Sequence, residues 1–190
     1  MFAMSCIALV APLPAFAQAQ TGSATPTLPE SQIHAAEFSS PFEFISAATS
    51  IDQFEIQTSA LAEQLAESRE VKQFAADTAA MHRASIEAIR SIGANEGVEI
   101  ATPSMDGEQK GMIGKLEPQK GAEFDRSYLA AQVYIHQRAI AVYRGYATKG
   151  GKLGQYAADT LPKIVEQYQM VIELAEKLGV DAAQKPATAY

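Results

Sequence analysis

Cysteine occurs once in the 190-residue chain, at Cys6. A single thiol cannot close an intramolecular disulfide, and a thiolate-held metal site needs more than one. Tryptophan is absent, and basic residues are the minority, 15 Lys and Arg against 22 Asp and Glu. The Lys-containing stretches at 110–120 and 149–152 are isolated and carry no interleaved aromatics. Phosphate backbones are gripped by clustered Lys and Arg, so nucleic acid is excluded as an expected partner. The net charge of −7 reads as a soluble, acidic surface. No apolar run reaches the roughly 18 residues that a membrane-spanning helix needs. There is also no Gly-rich phosphate loop after a strand and no Ser/His/Asp order of a hydrolase. The methionines Met81, Met105, Met112 and Met170 are too dispersed to form a copper-binding cluster.

What is present begins with a targeting signature. Met4 to Ala11 form a short apolar run, Pro12 and Pro14 break it, and Ala15-Phe16-Ala17 offers small residues at a cleavage position. The expectation is a signal peptide over 1–17 with processing between Ala17 and Gln18. No Lys or Arg precedes the run, which points to a natural start further upstream or to a misassigned start. The mature chain would then hold no cysteine, in keeping with an oxidising bacterial periplasm. Residues 18–40 are rich in Gln, Thr, Ser and Pro without helical period, and are expected to be a flexible tether. Residues 180–190 are expected to be a disordered tail.

Between them, residues 41–179 carry four helical segments. Pro41 suits a first turn behind Ser39 or Ser40, and the first segment, 41–66, places Phe44, Ala48, Ile51, Glu55, Thr58, Ala62 and Leu65 at alternating steps of four and three. The second, 68–96, does the same with Val71, Ala75, Thr78, His82, Ser85, Ile89 and Ile92. Residues 97–121, with three glycines between two prolines, read as a loop with one helical turn at 109–115. The third segment, 122–148, carries Leu129, Val133, His136, Ile140, Tyr143 and Ala147, and the fourth, 153–178, carries Thr160, Ile164, Gln167, Val171, Leu174 and Leu178. Asp125 at the start of the third is expected to favour the helix dipole. Pro162 is expected to kink or restart the fourth. Alternating steps of three and four mark nearly parallel packed helices. The expected fold is all-α, an up-down-up-down four-helix bundle.

Each stripe has a polar interruption near its midpoint: Glu55, His82, His136 and Gln167. Helices of similar length bring their midpoints to one level, with the second and third expected to run antiparallel. These four side chains are therefore expected to form a polar layer in the core, satisfied by one another, by water or by an ion. Imidazole with carboxylate suits a divalent transition metal, with Glu55, His82 and His136 as its ligands. The Glu-x-x-His pairs of di-iron bundles are missing, since Ala79 and Val133 stand three residues before the two histidines.

The segments Phe44-Ile45-x-x-Ala48, Glu55-Ile56, Val71-Lys72-Gln73-Phe74-Ala75, His82, Phe124-Asp125-Arg126-x-Tyr128, Gln132-Val133-x-x-His136 and Thr160-Leu161-Pro162 together resemble a family of exported bacterial domains of unknown function, often labelled outer membrane proteins. The resemblance spans about 42–178 and implies a ferritin-like bundle, export, and no established activity. Met81 and Gln167 depart from it, standing where the family often has Asp and His. The functional expectation is a non-enzymatic periplasmic or envelope protein that binds an envelope partner or a small ligand, with a role in stress. The alternative is a metal-binding or oxidoreductase bundle that uses the Glu/His layer. No catalytic residue and no organic cofactor is assigned.

Overall fold

The computed structural model describes residues 28–98, 100 and 102–180. The expected signal peptide, residues 18–27 of the tether and residues 181–190 of the tail lie outside the described residues. A short 3-10 turn, Glu30–Gln32, leads into α1 (Pro41–Leu65), α2 (Arg69–Asn95), α3 (Gly107–Leu116), α4 (Gly121–Tyr146) and α5 (Gly151–Lys177). There is no strand among the described residues. Local chemistry sets most of the boundaries. The Ser40 hydroxyl accepts the Glu43 N–H with Pro41 in the first turn, and Ser68 accepts the Val71 N–H. Helix α2 ends on Gly97, whose φ of 69° is open to glycine at little steric cost. The N–H of Val98 then reaches the Gly93 carbonyl at 2.9 Å, closing the end of the helix. The loop region holds more helix than expected. Helix α3 runs for 10 residues behind a capping box formed by Asp106 and Gln109. Pro162 lies inside α5 without interrupting it.

The directions of the helices follow from their partners. Between α1 and α2, Ile45 meets Gly93 and Asp52 meets Ser85. Between α4 and α5, Tyr143 meets Tyr156 and His136 meets Gln167. Between α1 and α4, Phe44 stacks on Tyr146 and Glu55 bonds Gln132. Between α2 and α5, Tyr156 bonds Ser85 and Lys177 pairs with Glu70. Each of these neighbouring pairs is antiparallel. Across the diagonal, Phe74 meets Tyr128 and Ser85 meets Tyr143, so α2 and α4 are parallel. The expected up-down-up-down order, with an antiparallel second and third segment, is thereby corrected to up-down-down-up. The physical reason is the long connection between α2 and α4. A helix of 27 residues spans about 40 Å, and the chain between Glu96 and Lys120 returns over that distance. Helix α3 rides on α1 and α4 along the way, with Ser50 donating to Gln109 at 2.7 Å and Tyr134 to Glu108 at 2.6 Å.

Two further expectations change. Asp125 does not serve the dipole of its own helix alone. Its carboxylate accepts the N–H groups of Glu67 and Ser68 at 3.1 and 2.9 Å, and so caps the turn between α1 and α2. The described part of the expected tether, residues 28–40, is a strap packed on α4 and α5. Ile33 is buried. The Ala36 N–H donates to the Ala141 carbonyl at 2.8 Å. Tyr168 donates to the Leu28 carbonyl at 2.7 Å. The Arg144 guanidinium holds the carbonyls of Glu30 and Ile33 and the Glu30 carboxylate. Gly145 makes this approach feasible, because a Cβ there would collide with the Ala36 carbonyl. Composition misses the strap because backbone groups supply much of its contact.

Removal of residues 1–38 is therefore expected to lower the melting temperature followed by circular dichroism, by about 2–4 °C for each kcal/mol of lost contact, and Gly145→Val should act in the same direction. An unchanged melt for both would show that the strap adds nothing. A second expectation concerns Asp106. Partial burial pushes its pKa up. The Gln109 N–H and the Arg138 guanidinium outweigh that and hold it below the ordinary 3.8. Its contribution is present above the unfolded value and is lost as pH falls through the folded one. Asp106→Ala should cost about 1 kcal/mol at neutral pH, and the difference from wild type in urea titrations should vanish in strong acid.

Candidate metal centre

Two carboxylates on α1, Asp52 and Glu55, meet partners from α2 and α4 in the middle of the bundle. Helix α1 packs against α2 on one side and α4 on the other, so it buries a face broad enough to include both Asp52 and Glu55, one turn apart. Asp52 accepts from His82 Nδ1 at 2.6 Å and from Ser85 Oγ at 2.9 Å. The Ser85 proton is used on that carboxylate, so the Tyr143 and Tyr156 hydroxyls donate to Ser85 Oγ, at 3.1 and 3.0 Å. Burial and then the Asp52 charge push the Tyr143 phenol well above 10.0. Burial likewise raises Tyr156. Both phenols therefore remain neutral donors at physiological pH.

On the α4 side, Gln132 Nε2 donates to Glu55 Oε2 at 2.6 Å, and His136 Nδ1 lies 3.4 Å from Glu55 Oε1. His136 Nδ1 is also 2.8 Å from the Gln132 carbonyl. A carbonyl only accepts, so Nδ1 carries a hydrogen in this contact. The Gln167 side-chain Oε1 lies 3.3 Å from His136 Nε2. Gln167 is half-buried, whereas Glu55, His82 and His136 are all buried.

The structure thus brings Glu55, His82 and His136 together. One ligand atom from each lies within 4.8 Å of the others. His82 Nε2 is buried and has no hydrogen-bond partner. An unmet polar atom in a core costs on the order of 1–3 kcal/mol, unless something accepts its lone pair or its proton. Burial pulls the His82 pKa down, but the Asp52 hydrogen bond and the charges of Asp52 and Glu55 outweigh it and hold it above 6.5. Burial raises Asp52 as well, and the bonds from His82 and Ser85 only moderate this. The pair therefore keeps its shared proton firmly.

The residue that sequence reading misses is Asp52. A carboxylate on the far nitrogen of an imidazole fixes the ring and its tautomer and leaves the near nitrogen as a lone pair, which is how histidine ligands are held in metal proteins. The available signal was the spacing Asp52-x-x-Glu55, which puts two carboxylates on one helical face. The donor set, two imidazoles and a carboxylate, fits a borderline divalent cation.

Residues 25–174 match the model of DUF4142, a domain of unknown function. The chain belongs to this family. No curated protein is significantly similar to it in sequence. Among solved structures, this DUF4142 chain is similar to a DUF305 protein of Streptomyces coelicolor, described as a candidate secreted protein, at 15% identity over 74% of this chain and 94% of that one, with a TM-score of 0.62. A DUF305 fragment from Deinococcus radiodurans aligns at 12% identity, covering 80% and 99%, with a TM-score of 0.64. CopM in its Cu(I)-bound form aligns at 17% identity, covering 73% and 96%, with a TM-score of 0.61. At these identities the likeness is one of fold, a helical bundle.

The Asp52–His82 pair generates a stability prediction for the metal-free protein. Asp52→Ala leaves the His82 and Ser85 donors without an acceptor and should cost about 3–5 kcal/mol. His82→Ala should fall in a similar range, and the double variant should cost less than the sum by about 1–3 kcal/mol. Urea denaturation of the four proteins measures the coupling. Strict additivity would remove the pair from the core's energetics.

Proposed function

We propose that this protein is a non-enzymatic, metal-binding helical bundle that holds one divalent transition metal on Glu55, His82 and His136, with Asp52 orienting His82. The observation that carries this reading is the convergence of three buried donors beside an imidazole nitrogen with no partner. Charge supports it. Asp52 and Glu55 place two carboxylates in a low-dielectric core, and once His82 gives up its proton a divalent cation is the counter-charge that balances them. The metal would act as a Lewis acid or a structural tie, and binding releases the proton held by His82. The Cu(I)-bound state of CopM makes copper one cation to test. The trio contains no sulfur, however, so its own chemistry favours Zn(II), Cu(II), Ni(II) or Fe(II) over Cu(I). The up-down-down-up order with one long crossover is that of ferritin-like bundles, in which metal sites lie between mid-helix side chains. Export to the periplasm or envelope is part of the same proposal. It rests on the apolar run before Ala15-Phe16-Ala17 and on the secreted description of the Streptomyces relative in fold.

Purified protein dialysed against each metal and analysed for metal content should retain about one ion per chain of its preferred metal. A free concentration of 100 times Kd should stabilise the fold by about 2.7 kcal/mol. Glu55→Gln, His82→Gln and His136→Gln should each abolish that stabilisation. A wild-type melt that no divalent metal raises would overturn the assignment.

A further inference from the structure

The three donors of the trio are buried, so an ion reaching them crosses protein. One cavity among the described residues leads toward them. It lies between α2 and α5, has a volume of about 190 Å³, and is lined by His82 together with Met81, Ala84, Ser85, Tyr156 and Thr160. His82 therefore belongs both to the trio and to the wall of this cavity. The outer rim is accessible, since Ala84 and Lys163 are exposed and Thr160 is half-buried.

The sequence explains why space is left here. Helix α2 presents Ala84 and Ala88 to α5, side chains too small to fill the gap between two helices. Across from them, Pro162 falls inside α5 between Thr160 and Lys163. It has no N–H to give to the preceding turn, so one backbone hydrogen bond of that helix is missing beside the cavity. The lining is mainly apolar, with hydroxyl groups on its inner side. The Ser85, Tyr143 and Tyr156 hydroxyls gather there; Ser85 is fully bonded, while the two phenol oxygens keep lone pairs for a cation that has shed part of its hydration shell.

Resting on the metal reading above, we propose that the α2–α5 cavity is the port through which a hydrated divalent cation enters and leaves the buried trio. The rim formed by Ala84, Ala88 and Thr160 sets the rate of passage. Affinity is set by Glu55, His82 and His136, and speed by the cavity, so the two are separable by mutation.

The experiment uses the full-length chain with Zn(II) as the probe. Uptake is followed by stopped flow and release by transfer to a chromophoric chelator, with affinity measured at equilibrium. Ala84→Leu, at an exposed position that tolerates bulk, and Ala88→Leu narrow the cavity. Each should slow uptake and release together by about tenfold while Kd stays within about twofold. Thr160→Ala widens the rim and should speed both. Unchanged rates in both narrowed variants, with zinc still bound, would overturn the port and leave the metal site standing. A change in one rate alone, with Kd shifting to match, would overturn it too, because the cavity would then be acting on the site and not on the path. A wild type that takes up no zinc or other divalent metal overturns the trio reading itself, and the port with it.

Discussion

A carboxylate in the middle of a helical bundle is stable only if its lone pairs are met, and Asp52 meets this condition through groups on another helix. His82 and Ser85 of α2 donate to it, and Ser85 in turn receives Tyr143 from α4 and Tyr156 from α5. A single hydroxyl therefore links all four long helices at one level. Apolar packing in such bundles tolerates sliding by a turn, because a stripe of Ala, Ile and Leu looks alike one step along. A hydrogen-bonded junction does not tolerate it, since a shift would leave several buried donors unmet. The polar layer fixes the register in which the apolar stripes pack, and thereby the relative height of Glu55, His82 and His136.

The crossover gives that register its particular partners. Because the chain returns along the bundle between α2 and α4, these two helices stand diagonally opposite and point the same way. Imidazoles near the middle of each then meet at the bundle axis, with Glu55 arriving from α1. In an order with only short turns, α2 and α4 would be adjacent and antiparallel. Asp125 and Arg144 serve the same architecture from its ends, one by capping the α1–α2 turn and the other by gripping the strap.

Much of this was legible in the sequence, and the reasons are physical. Helical period identified α1, α2, α4 and α5 to within about two residues, because an amphipathic stripe is a direct imprint of burial. Glu55, His82 and His136 were recognisable as core positions for the same reason. Direction was not legible: a stripe says which face is buried and nothing about which end a helix starts from. Asp52 was hidden by Ile51, which occupied the stripe position beside it, since α1 is covered on two sides and its buried face is wider than one seam. Residues 28–40 were misread because their contacts run through carbonyls and amides, which composition cannot show. Helix α3 was underestimated because its glycines, Gly107, Gly111 and Gly114, have open space where a Cβ would stand and weaken propensity without preventing a well-capped helix.

The capping of the α1–α2 turn by Asp125 bears on how the molecule assembles. The amides of Glu67 and Ser68 find their acceptor 58 and 57 residues further along the chain. A hairpin of α1 and α2 made alone would leave those amides to water and its turn unfastened. Only when the crossover has been laid down and α4 has docked does the turn acquire its lock. The first half of the chain thus completes its local structure with a group supplied by the second half, which joins the two helical pairs into one cooperative folding unit and not two hairpins that form independently and then associate.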